Sequence, residues 1–198
     1  MRSIYKIVVC SLLTLSITSC EKDLLEKEQY QKEIYLIGAY NRVWTTEVSY
    51  SNEEVKTYFT VSSSGTLALD RDVNVKMKIN EELVDIYNKK YWTVLNEDKY
   101  YKSLDTDLYS IPSLENTVIK HAEGISAEVP VLIKTASLKI DQSYVIPVEI
   151  ESTTGYPISE SGYKMLILLK LKNDYYGQLP DEWAYHLRRR NSEDDSEA

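Results

Sequence analysis

"DVNVKMKIN", residues 72–80, decides the fold. Val73, Val75, Met77 and Ile79 alternate with Asn74, Lys76 and Lys78, so one face of an extended chain is apolar and the other is wet. The same texture recurs on either side. "IYLIGAY" (34–40), "VWTTEVSY" (43–50), "VKTYFTVS" (55–62), "TVIKH" (117–121), "AEVPVLIK" (127–134), "YVIPVEI" (144–150) and "GYKMLILLKLK" (162–172) are short runs rich in Val, Ile, Thr and Tyr between polar breaks. Pro130 and Pro147 inside two of these runs predict edge positions or bulges, because proline donates nothing to a strand ladder. Many short strands with turn breaks predict an all-β, immunoglobulin-like β-sandwich over residues 34–174.

One segment departs from that period. Asn80 is placed to cap a helix, Glu81 and Glu82 suit the positive end of its dipole, and Lys89 and Lys90 suit the negative end. Leu83, Val84 and Tyr87 share a face, so "EELVDIYNKK" (81–90) is expected as a short helix at the sandwich edge. Residues 175–198 read as a second short helix, with Pro180 at its start, Trp183 and Leu187 four apart and three arginines at its end, followed by an acidic tail.

The first nineteen residues read as an export signal, with Arg2 and Lys6 ahead of an apolar stretch too short to span a bilayer comfortably. Ile17-Thr18-Ser19-Cys20 resembles the lipobox of bacterial lipoproteins, which implies lipidation of Cys20 through its sulfur. The alternatives are an uncleaved membrane anchor or a plain secreted protein. Two or three acyl chains hold a protein at a membrane far better than one. Residues 20–33 are then the lipidated cysteine and a charged tether. Its acidic residues resemble the surface-export signals of Bacteroidetes lipoproteins, and a solvated spacer explains them equally. The expected location is the outer membrane, facing outward or, alternatively, the periplasm.

Cys10 leaves with such a signal, so the mature chain carries no free thiol and no disulfide, and the fold must hold by core burial. The formal charge is −8, and −10 without Arg2 and Lys6, which argues against nucleic acid as a partner.

The order of motifs in the middle of the chain is itself familiar. Asp72–Asn80, Leu83-Val84, Tyr87-Asn88, Ile119–Gly124, Val129–Ile133, Leu138 and Tyr144–Ile150 together resemble the N-terminal β-sandwich domain of unknown function of Bacteroidetes surface lipoproteins. The resemblance covers about residues 35–174. It implies a setting beside glycan-import machinery, in surface glycan-binding proteins and ahead of certain endo-acting glycosidase domains. Where the family commonly shows Leu-Pro-x-x-x-Tyr, this chain has Leu95-Asn96 with Tyr100 and Tyr101 beyond. Family members with a known activity carry it in a second, C-terminal domain, so the resemblance transfers no catalytic residue.

No catalytic constellation emerges from the residues. His121 and His186 are the two histidines and stand alone, without the spacing of a zinc site. Asp70-Arg71-Asp72 and Asp105-Thr106-Asp107 lack the glycine and closing glutamate of a calcium loop. No metal, cofactor or enzymatic activity is expected. Seventeen tyrosines and three tryptophans against one phenylalanine call for ring edges with polar company. Such rings suit sugar faces, protein interfaces and half-buried sheet surfaces alike. The densest aromatic region is 87–109, and Trp92, Tyr100 and Tyr101 are its candidate ligand-binding residues. Trp183 either caps the sandwich or docks on a partner such as an outer-membrane transporter or neighbouring lipoprotein. The function expected is a non-catalytic glycan-binding accessory of a polysaccharide-utilisation system. The alternative is a scaffold or assembly subunit binding other envelope proteins.

Overall fold

The structure, a computed structural model, describes residues 27–92 and 94–172. Cys20, Trp183, His186 and the expected C-terminal helix lie outside the described residues.

Two sheets face each other across one core. The four-stranded sheet runs in the order β1 (Ile34–Leu36), β3 (Glu54–Ser63), β8 (Ser126–Lys134), β6 (Tyr109–Ser110). The larger sheet runs β2 (Val43–Ser49), β10 (Lys164–Lys172), β9 (Tyr144–Thr153), β4 (Val73–Ile79), β7 (Thr117–Ile119), with β5 (Lys102–Ser103) also beside β9. Most pairs are antiparallel; β2 with β10 and β5 with β9 are parallel. The chain is an all-β sandwich with one α-helix, α1 (Glu82–Tyr91), among the described residues.

The alternation in residues 72–80 does what its period predicts. Val73, Val75 and Met77 are buried and Asn74, Lys76 and Lys78 are exposed. They meet Phe59, Val61, Val129, Val131 and Ile133 of the other sheet in a single core. Burying one such side chain stabilises by roughly 1.5–3 kcal/mol relative to leaving it exposed. Thr46 and Thr57 share a hydroxyl hydrogen bond of 2.6 Å that ties β2 to β3 between the sheets.

Pro130 obeys the edge rule locally. It pairs with Tyr58 on one side, and β6 on the other side reaches only Leu132 and Ile133. Pro147 does not sit on an edge strand. It lies in β9, flanked by β10 and β4, and the bulge of β9 falls further on, between the Lys76 and Met77 pairings. Its tolerance has another cause. Pro147 stands where the neighbour of β9 changes from β5, paired at residues 144 and 145, to β4, paired from residue 148. Its carbonyl still accepts from the Asn80 N–H at 3.1 Å.

The helix also differs in place from its expected edge position. Leu83 and Val84 pack on Val145 and Leu166, so α1 covers the outer face of the two central strands β9 and β10. This explains why "KMLILLKLK" has no polar alternation: Met165, Ile167 and Leu169 face the core, and Leu166 lies under the helix. The Asn80 carboxamide oxygen accepts from the Glu82 N–H at 3.1 Å, as a cap should.

Residues 28–33, read from sequence as tether, are pinned along the loop 64–67. The Thr66 N–H and the Lys32 ammonium both bond the Glu28 carboxylate, the Glu33 N–H donates to Ser64 Oγ at 2.9 Å, and the Ser64 N–H donates to the Glu33 carbonyl at 2.9 Å.

Candidate functional site

Three segments converge beside α1. The first is the turn after β1. "IYLIGAY" reads as a strand, yet strand geometry stops at Leu36. Gly38 takes φ +89°, and a Cβ there would lie 2.4 Å from the Trp44 ring, so only glycine makes this turn without strain. Residues 39–41 form one 3-10 turn, closed by the Arg42 N–H donating to the Ala39 carbonyl at 2.8 Å. Arg42 itself sits at φ +63°, and its carbonyl accepts from the Leu166 N–H at 2.8 Å, which fixes the turn to β10. Tyr40 is left 88% exposed at its crest.

The second segment is the loop entering β10. Ile34 donates to Pro157 at 2.8 Å and accepts from Ser159 at 2.9 Å, and Leu36 donates to Gly162 at 2.8 Å. Those bonds knit residues 157–162 to β1 and hold Glu160 and Ser161 in place. The third is α1, which contributes Leu83, Ile86 and Tyr87.

Between them lies a cleft of about 280 Å³, floored by Ala39, Leu83, Met165 and Leu166. Tyr40, Ile86 and Tyr87 make its apolar walls, and Arg42, Glu160, Ser161 and Lys164 supply polar groups. Tyr87 is backed by Tyr101, whose ring is stacked on it at 5.2 Å between centroids and 11° between planes. Burial, and then the Tyr101 phenol, push the Tyr87 hydroxyl up to about 12, above the ordinary phenol value of 10.

The aromatic candidates from the sequence sit around the other end of the helix. Trp92 follows its last turn, half-buried, with its N–H on the Asn88 carbonyl at 2.9 Å and its indole Nε1 buried without a partner among the described residues. Lys99 places its ammonium 5.8 Å from the Trp92 ring centroid. Tyr100 is half-buried, and Tyr101 is latched to Asn88 through its backbone. Of these three, Tyr101 reaches the cleft, through its stack on Tyr87; the lining residues themselves are others. Tyr40, Arg42 and Lys164 escaped the sequence reading. The signal available was the "GAYNR" composition (38–42), which belongs to a turn and not to a strand.

The acidic pairs are engaged elsewhere. Asp70 holds Arg71 through two bonds of 2.9 and 3.0 Å and accepts the Tyr156 hydroxyl, and these partners keep its carboxyl well below the usual range. Asp72 accepts both the backbone N–H of His121, at 3.0 Å, and its ring Nδ1, at 2.6 Å, which joins the ends of β4 and β7. Asp105 and Asp107 line a shallow depression with Ser137 and Tyr144. Among the described residues no three His, Cys, Asp or Glu side chains gather as metal ligands, and no helix is long and apolar enough to cross a membrane.

Residues 30–157 match the family model described as "-like, N-terminal domain". The chain belongs to that N-terminal-domain family. Solved structures share the fold. A protein of unknown function from Bacteroides ovatus is 17% identical, with a TM-score of 0.62, over 74% of this chain and 48% of its own. An auxiliary nutrient binding protein from Bacteroides thetaiotaomicron is 15% identical, with a TM-score of 0.55, over 70% of this chain and 46% of its own. EndoBT-3987 of the same species, solved with Man5GlcNAc product, is 20% identical, with a TM-score of 0.51, over 70% of this chain and 30% of its own. The chain therefore spans less than half the length of each, and at such identities the likeness is one of fold. No curated protein matches the sequence.

Proposed function

We propose that this domain is a non-catalytic glycan-binding accessory of a bacterial surface, held to the outer membrane by lipid on Cys20. The observation that carries the reading is the cleft beside α1. A fully presented tyrosine ring, a second ring braced from behind and a rim of carboxylate, hydroxyl and cationic groups suit a sugar, whose C–H face stacks on aromatics while its hydroxyls seek polar partners. The fold shared with a nutrient binding protein and with EndoBT-3987 supports a setting in nutrient or glycan capture. Tyr101 serves the site by bracing Tyr87, and Trp92 and Tyr100 extend the aromatic surface past the helix end.

A pull-down of residues 21–198 on immobilised plant and host glycans tests this. Retention on at least one glycan, lost in Tyr40→Ala with the melting temperature unchanged, is expected. Retention that survives Tyr40→Ala and falls in Trp92→Ala moves the site to the helix end. Metabolic labelling with palmitate tests the anchor: label incorporated by the natural chain and absent in Cys20→Ser is the expected result.

A scaffold role is the second reading, and one observation favours it. Leu95 is 93% exposed just after α1, and Ile86 and Tyr91 are about half exposed on the helix. Trp183 would add to such a docking surface on a transporter or neighbouring lipoprotein. Stoichiometric co-purification with another envelope protein, without glycan retention, would select it.

A further inference from the structure

Two cations meet at the cleft without a carboxylate partner among the described residues; Lys56 and Lys102 also lack one, but they stand apart from the cleft. In a chain of formal charge −8, Arg71, Lys76, Lys78, Lys120, Lys170 and Lys172 each face a carboxylate. Arg42 and Lys164 line the cleft and have no carboxylate partner among the described residues, Glu160 included. Lys164 has only the face of Tyr163, at 4.8 Å from the ring centroid.

Their placement favours an anion. The floor beneath them is apolar, while Arg42 is exposed and Lys164 half-buried, so an anion can reach both from solvent. An arginine guanidinium presents a planar fork that matches a carboxylate, and the backbone bonds of Arg42 to Ala39 and Leu166 fix where that fork starts. Two cations against the single carboxylate of Glu160 leave the rim net positive, on a protein that is otherwise acidic.

We propose that the cleft recognises an anionic sugar, a pyranose bearing a carboxylate or sulfate, with the anionic group on Arg42 and Lys164 and the ring against Tyr40. The inference rests on the glycan-binding reading and adds the class of sugar. Glu160 and Ser161 then accept or donate to ring hydroxyls, and Tyr87 closes the inner wall. A cleft of about 280 Å³ takes one sugar residue of a longer chain.

The test is calorimetric, with the full-length chain in detergent and three probes: an oligogalacturonate, the same oligosaccharide after reduction of its carboxyl groups, and a sulfated oligosaccharide of matched length. At low salt an anionic probe should bind about tenfold more tightly than the neutral one, the scale of one charged hydrogen bond. Arg42→Gln and Lys164→Gln should each cost more affinity for the anionic probe than for the neutral one and so narrow that gap, and 0.5 M salt, chosen as roughly a 4 Å screening length, should close it. The uronate or the sulfate arm, whichever leads, names the source of the charge. Equal affinity for charged and neutral probes overturns the anionic assignment and leaves the glycan reading standing. Failure of both anionic probes to bind a folded chain that retains a neutral glycan in the pull-down overturns the anionic assignment alone, and failure of the whole glycan panel overturns both.

Discussion

The Asn88 carboxamide clasps Tyr101 by both backbone groups: Nδ2 donates to the Tyr101 carbonyl at 2.9 Å, and Oδ1 accepts the Tyr101 N–H at 3.0 Å. Asn88 is buried, and this clasp ties the strand that follows α1 to the helix itself. It also sets the Tyr101 ring behind Tyr87. Asn88→Ala leaves a buried donor and acceptor unpaired, and should cost about 2 kcal/mol in chemical denaturation. Asn88→Asp keeps the acceptor, loses the donor and buries a charge, so its loss should grow as pH rises above the carboxylate range. Equal stability of Asn88→Ala and the natural chain would contradict this role.

Gly38→Ala tests the turn. The left-handed φ alone should cost about 1–3 kcal/mol, and the new methyl meets the Trp44 ring. Because the turn presents Tyr40 and Arg42, glycan affinity should fall further than stability. Trp44 fluorescence reads the local change directly.

Leu166 lies under both the helix and the cleft. Leu166→Ala should destabilise by about 2–5 kcal/mol, and amide exchange in α1 should accelerate more than exchange in β3 and β8. Uniform acceleration would mean that the helix and the sandwich unfold as one unit.

The Glu28 carboxyl is held down to about 2, first by the Lys32 ammonium and then by the Thr66 N–H. A depressed folded pKa means that its contribution is whole above the ordinary value of 4.5 and drains away as pH falls towards 2. Titration of the Glu28 side chain by carbon NMR should therefore show a midpoint far below its peptide value. The Thr66 amide should lose protection over the same interval. A midpoint near 4.5 would mean that residues 28–33 are not pinned in solution.

At the alkaline end, burial raises the phenols of Tyr87 and Tyr109 to about 12. Their raised folded values imply a contribution present below pH 10 and lost as pH climbs towards 12. An ultraviolet titration should show a late-ionising class of tyrosines, and Tyr87→Phe should shrink it. Titration of every tyrosine together near pH 10 would contradict the burial of both rings.

Strand-forming stretches were legible where one face was wet or the run was long. Residues 73–79 show it by alternation, and residues 164–172 by a continuous apolar run. Strands β5 and β6, two residues each, carry no period, so nothing in the sequence marks them as strands. The helix was readable from Asn80, its acids and its lysines, but not its seat, because Leu166 looks like any other core residue until its face is known. The cleft was less legible still. Its parts come from residues 39–42, 83–87 and 160–166, and nothing local says that these segments meet. Dense aromatics at 87–109 drew attention to the helix end, whereas the exposed ring at the cleft is the isolated Tyr40, raised by a glycine turn.

The glycan-binding cleft is tested most directly by calorimetric titration of a glycan retained in the pull-down, with the natural domain, Tyr40→Ala and Trp92→Ala side by side. The account predicts saturable binding at one site, weakened at least about tenfold by Tyr40→Ala, in line with loss of one stacked ring, and little changed by Trp92→Ala. Binding unaffected by Tyr40→Ala, with all three proteins equally folded, would contradict it.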